Sequence, residues 1–176
     1  MLSPQSIVYA WDNGLKYALA LLDDVTDDQM LLRPGSNMNH PAWILGHLSI
    51  YHPIIEALLT GRQFDDPADH ELFGFRGLGP TDDLSVYGPK ISQLERFGSG
   101  HETVAQALLS ATEEQLSRPP SLERWASAYP SVAFMLPDLM LHHESLHIGQ
   151  LSIWRRAAGL SAVELPDRTP RAGITD

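Results

Sequence analysis

Two imidazoles one helical turn apart are the first chemistry this sequence offers. His143 and His147 lie in Leu141-His142-His143-Glu144-Ser145-Leu146-His147-Ile148-Gly149-Gln150-Leu151, where apolar residues recur at helical spacing. Side chains at i and i+4 stack on one face of a helix. Such a pair can hold one divalent cation from a rigid element. The structural alternative is two core histidines hydrogen-bonded to their neighbours. Bare buried imidazoles are costly unless each nitrogen has a partner, and a metal satisfies both at once. His47, far upstream among Trp43, Ile44 and Tyr51, is the candidate third ligand. Taken alone it reads as a satisfied core histidine. Beside a two-histidine clamp it reads as the residue that completes the site. Three neutral nitrogens would leave a position open to water or substrate, the arrangement of a catalytic rather than a structural centre.

Glu144 completes His-Glu-x-x-His between His143 and His147, the pattern of zincin proteases. The context of that motif is missing. No Gly-x-x-His follows, and Glu164 lies beyond Gly159 in a proline-containing tail. No run alternates in a way that would supply a sheet for extended peptide. Glu144 is therefore expected to be a solvated carboxylate on the helix flank. Its functional alternative is a catalytic role as a base, or as a partner of a ligand. His142 is about 100° round the helix from His143 and is expected to flank the site or face solvent. His40 and His52 lie off the His47 line, and His70 and His101 stand in polar surroundings and are expected to be solvated.

Four amphipathic segments position these residues. Ser3-Pro4 is a helix start, and Ile7, Val8, Trp11, Leu15, Ala18, Leu19 and Leu22 give helical spacing over 5–22. Residues 24–32 read as a short capped turn, followed by a turn at Arg33-Pro34-Gly35. Asn39 is expected to cap the second helix, with Pro41 in its first turn, Pro53 bending it and Gly61 ending it. Residues 62–89 form a long connection, the kind that serves as a lid or crossover. Its Phe64, Phe73, Phe75, Leu78 and Tyr87 suggest that it packs down. The third helix is expected over 90–112, with Ile91, Leu94, Phe97, Val104, Leu108 and Leu109 inward and Gly98 and Gly100 weakening its middle. A second connection with Pro119-Pro120 leads to the fourth helix, 131–158, which either kinks or starts at Pro137. Residues 161–176 are a polar tail. The fold class is thus all-α, a single-domain four-helix bundle over 1–176 with long crossover connections.

The bulk composition excludes several functions. A net charge of −10 over 176 residues opposes nucleic acid or an anionic membrane surface as partner. The chain has no cysteine, so disulfides, thiolate zinc sites and cysteine nucleophiles are excluded. Met1 to Tyr9 lacks the pattern of a signal peptide, and no uncharged apolar run reaches about 20 residues. A cytoplasmic location is the expectation.

Two motifs in this order resemble the DinB-like (YfiT-like) superfamily. They are Asn39-His40-Pro41-Ala42-Trp43-Ile44-Leu45-Gly46-His47-Leu48 and His143-x-x-x-His147-x-Gly149-Gln150-Leu151. Leu72-Phe73-Gly74, Tyr87-Gly88-Pro89 and Arg156-x-x-Gly159-Leu160 extend the resemblance over nearly the whole chain. The resemblance implies a bundle with crossed helix order, often a homodimer. It also implies a divalent ion, zinc or nickel, on His47, His143 and His147. Some relatives transfer low-molecular-weight thiols such as bacillithiol or mycothiol, and others act as hydrolases or isomerases. A metal-dependent transferase or hydrolase acting on a small molecule is the function implied. Its rival is a bundle in which the metal, or no metal, only stabilises the fold.

Overall fold

The computed structural model describes residues 3–62, 69–74, 77–121 and 123–174, with no strand among them. Helix α1 (Pro4–Leu22) starts where expected, the Ser3 hydroxyl accepting from the Ser6 amide. Thr26 and Gln29 then brace a 3₁₀ turn, Asp28–Leu31. Helix α2 (Pro41–Thr60) continues through Pro53, which is exposed, and ends at Gly61 with φ +75°. The long connection folds into two short helices, α3 (Asp69–Phe73) and α4 (Leu84–Tyr87). Helix α5 (Lys90–Leu109) follows. The next connection holds α6 (Glu113–Ser117) and α7 (Glu123–Ala126). The fourth long element begins as α8 (Val132–Pro137), widens into a π-helical turn over Asp138–His143, and finishes as α9 (Glu144–Ala157).

Several expectations need correction. The cap of α2 is His40, whose Nδ1 accepts from the Trp43 amide at 3.1 Å. Asn39 instead donates to the Gln150 side chain at 3.2 Å. The third helix stops at Leu109, because Thr112 is taken as the cap of α6 in a reciprocal capping box with Gln115. Ile91 faces solvent rather than the core. Pro137 does not start the fourth helix, which already runs from Val132. The helix passes through and opens into the π turn immediately after, the kind of defect that clusters at functional sites. In the 62–89 connection Phe73 is buried and Tyr87 half-buried, whereas Leu78 is exposed. Phe64 and Phe75 lie outside the described residues.

The four long elements do not pack in chain order. Helix α2 makes its most extensive contact with α5 and also packs on α9, while α1 packs on α5, α9 and the π turn. Contact of α1 with α2, and of α5 with α9, is slight. Going round the bundle the order is therefore α1, α5, α2, α9, with α1 and α2 on one diagonal. The connections from α1 to α2 and from α5 to the fourth long element therefore cross an end of the bundle, whereas the one from α2 to α5 joins neighbours.

Two apolar cores fill the bundle. One joins the C-terminal half of α1 to Ala42–Ile50 of α2, Phe97, Ile148, Leu151 and Trp154. The other joins Ile7, Val8 and Trp11 to Ile54–Leu59, Val104, Leu108 and Val132–Met140. Between them, at the waist, lie the buried polar side chains Asp12 of α1, His47 and His52 of α2, His101 of α5 and Glu144 of α9. Helix α2 is long and apolar enough to cross a membrane, but 78% of its apolar 18-residue window is buried inside the bundle, so it is the central core helix. The polar tail also packs down. Lys16 donates to the carbonyls of Asp167 and Thr169, and Arg171 pairs with Asp12 and Glu102.

Candidate metal centre

His47, His143 and His147 meet at the waist. One ring nitrogen of each lies within 4.8 Å of the others, the only such cluster of three potential ligands among the described residues. His47 Nε2 and His143 Nε2 are 3.1 Å apart. Two nitrogens bound to one tetrahedral ion at about 2.05 Å would be about 3.3 Å apart. The rings of His47 and His147 have centroids 4.4 Å apart, and those of His143 and His147 4.8 Å.

Each imidazole is placed by its own element. The apolar face of α2 buries His47, and Trp43 stacks on it at 4.9 Å. His47 Nδ1 donates to the Phe73 carbonyl at 2.5 Å, which leaves the Nε2 lone pair facing the other two rings. His143 is the last residue of the π turn and His147 sits on the first full turns of α9. Tyr51 flanks His143 at 4.4 Å. Gln150, held by Asn39, lies beside His147.

Burial keeps these rings neutral. It is the main cause that pulls His143 down to about 4 and His147 to about 3, with the neighbouring imidazoles adding to the effect. Burial likewise lowers His47, opposed by its bond to the Phe73 carbonyl. At neutral pH the lone pairs are therefore available. With its Nδ1 proton given to Phe73, His47 presents a bare acceptor at Nε2, and no carboxylate belongs to the cluster. Converging neutral nitrogens with no anion among them fit a borderline divalent cation such as zinc, nickel, copper or iron. The donor set fits the ion expected for it.

Glu144 is not on the solvated flank. It is buried, and its Oε2 accepts from Trp11 Nε1 at 2.6 Å. Its Oε1 has no partner among the described residues and would lie 3.3 Å from a Cβ on Gly14. Burial raises its pKa to about 8, outweighing the Trp11 bond, so it is a neutral acid directed at α1. The 100° step from His143 that makes Glu144 part of the sequence motif also turns it from α2 toward α1.

His101 is likewise not solvated. It is fully buried, donates from Nε2 to Asp12 Oδ1 at 2.9 Å, and stacks on Trp11 at 3.8 Å. Burial pulls Asp12 up, but hydrogen bonds from His101 and Arg171 outweigh it and hold the carboxyl at about 2. His52 is buried between Trp11 and Phe97, with neither ring nitrogen hydrogen-bonded among the described residues. His70 is half-buried, and His142 is exposed and paired with Asp138 at 3.0 Å. Trp154 is core, its Nε1 donating to the Leu32 carbonyl. Sequence reasoning missed the Phe73 carbonyl, because a backbone acceptor leaves no trace in residue type. It also missed the Asp12–His101 pair, whose only signal is a histidine and an aspartate on the inward faces of α1 and α5.

The family model of the DinB superfamily matches residues 10–151, a span that includes all three converging histidines. No curated protein and no solved structure matches the chain.

Proposed function

The chain belongs to the DinB superfamily, and from that premise we propose that it is a metal-dependent enzyme. His47, His143 and His147 would hold one divalent ion, zinc or nickel first among the candidates. The observation that carries this reading is the approach of His47 Nε2 to His143 Nε2, 3.1 Å, with the opposite nitrogen of His47 already committed to Phe73. When bound, the ion would supply Lewis acidity and lower the pKa of a water or thiol. The three neutral histidines leave the ion its full positive charge, which favours that acidification. Trp43 and Tyr51 wall the site with aromatic surface and exclude water from its α2 side. Glu144 is committed to Trp11 and we give it a structural role.

The reaction we propose is transfer of a low-molecular-weight thiol to an electrophilic small molecule, or hydrolysis of one. The acidic chain and the nitrogen-only site support a small-molecule substrate. A homodimer in the cytoplasm belongs to the same proposal.

Element analysis of untagged protein tests the site, since a His tag loads nickel by itself. About one equivalent of metal is expected, and none in His47→Ala/His143→Ala. A double variant that folds and keeps its metal would end this reading. Turnover of a thiol–electrophile panel by wild type and not by the variant is expected. Metal loss that only lowers Tm, with no turnover across the panel, would favour a structural ion.

A further inference from the structure

Gly46 stands inside α2 with negative φ, where glycine costs about 1 kcal/mol relative to alanine. Its backbone does not require a glycine, but its neighbour does. A Cβ at Gly46 would lie 2.1, 2.5 and 2.6 Å from three ring carbons of Phe73. Phe73 ends α3, and its carbonyl is the acceptor for His47 Nδ1. The contact continues on both sides. The Leu72 carbonyl accepts from Trp43 Nε1 at 3.2 Å. His40 Nε2 donates to the Thr81 carbonyl at 2.9 Å, and its ring meets the edge of Tyr87 at 5.0 Å. Tyr87 packs on Phe73 at 5.8 Å. The connection between α2 and α5 is thus fastened to the same stretch of α2 that presents His47.

We infer that Gly46 and Phe73 form a positioning clamp, in which the close seat of the Phe73 ring brings its carbonyl onto His47 Nδ1 and so sets the tautomer and aim of His47 Nε2. An imidazole without that acceptor can carry its proton on either nitrogen and can rotate about its side-chain bonds. Outer partners of this kind typically contribute 10–100-fold to metal affinity. Linkage makes the effect reciprocal: a bound ion must stabilise the docked Leu72–Phe73 and Thr81–Tyr87 stretches by the same factor. The inference rests on the three-histidine reading and concerns what aims its first ligand.

Cobalt(II) titration of untagged, chelator-stripped protein, followed by visible absorption, reads the affinity. Gly46→Ala is expected to weaken cobalt binding 10–100-fold. Gly46→Ala/Phe73→Ala, which removes the overlap, is expected to recover part of that loss. In wild type, zinc loading should slow hydrogen exchange at Leu72 and at Thr81–Tyr87, and in Gly46→Ala it should not. Trp43→Phe keeps the ring on His47 and removes only the bond to Leu72, so it serves if Gly46→Ala fails to fold, with a few-fold weakening expected. Cobalt affinity within twofold of wild type in the folded variants, or exchange unchanged by zinc, would overturn the clamp. Unchanged cobalt binding in His47→Ala would instead overturn the three-histidine site itself, a separate outcome.

Discussion

The waist of this bundle carries two histidine clusters that face opposite ways, the first half-buried and the second buried. On the α2 side, His47, His143 and His147 converge with no acid among them. On the α1 and α5 side, His101 is bonded to Asp12, Asp12 to Arg171, and Trp11 to Glu144. Both contain imidazoles whose pKa burial lowers. What separates them is the direction of the lone pairs. In the first cluster nitrogens from α2, the π turn and α9 point at one place. In the second the polar atoms are taken up pairwise, or stranded singly as in His52, and no three donors meet. Burial of histidine is thus no sign of a site by itself; convergence of uncommitted nitrogens is.

The sharpest way to break that contrast is to remove one histidine from each side. His143→Ala is expected to lower cobalt or zinc affinity by at least 100-fold, with little change in the stability of the metal-free protein. His101→Ala is expected to leave metal stoichiometry unchanged and to destabilise the fold by about 2 kcal/mol, since it removes one of the donors to Asp12 and the buried ring stacked on Trp11, leaving Arg171 as the carboxylate's partner. Metal titration and urea unfolding of both variants give four numbers, and a metal defect in His101→Ala would erase the distinction.

The pH dependence of stability differs between groups in sign. Burial lowers His52 from 6.5 to about 3 in the folded chain. The unfolded chain therefore binds a proton that the native one refuses between these values. The stability His52 contributes is complete above pH 6.5 and falls by up to about 1.4 kcal/mol per pH unit toward pH 3. Glu144 is raised from 4.5 to about 8. The native chain holds a proton there that the unfolded chain has released, so this contribution is complete below pH 4.5 and is lost as pH rises to 8. His52→Leu should flatten the acid limb and Glu144→Gln the alkaline limb in denaturant melts across pH 4–9. Identical limbs in wild type and variant would contradict the burial on which both shifts depend.

Removing an unsatisfied group should show a smaller effect. Both nitrogens of His52 lack partners among the described residues, so at pH 7 His52→Leu is expected to be neutral or stabilising by about 1 kcal/mol. The smallest effect is expected at the tail. Arg171→Ala removes the outer partner of Asp12 while His101 remains, and should cost about 0.5 kcal/mol with no change in metal content. Thermal melts of metal-free protein would measure both.

Much of this was legible in residue order. The Ser3-Pro4 start, the Gly61 stop and the spacing of Ile7, Val8, Trp11 and Leu15 are local signals acting within a turn or two, so α1 and α2 could be read almost to their ends. The pair His143 and His147 follows from helical periodicity in the same way. The side on which Glu144 lies could not be read, because 100° of rotation separates a solvated flank from a buried interface only once α1 is in place. His101 was misread for the same reason: its polar sequence neighbours face solvent while it alone turns inward onto Trp11 and Asp12.

By itself the sequence determined four long helices, the Ser3 cap, the Gly61 stop and a helix face carrying two histidines, because those depend on interactions between residues near one another in the chain. Only the tertiary structure decided that α1 and α2 lie on a diagonal, that His47 reaches His143 across 96 positions of chain, and that a backbone carbonyl from the connection aims it. Those outcomes depend on which faces bury against which. Packing settles that over the whole molecule, and no short stretch of residues contains it.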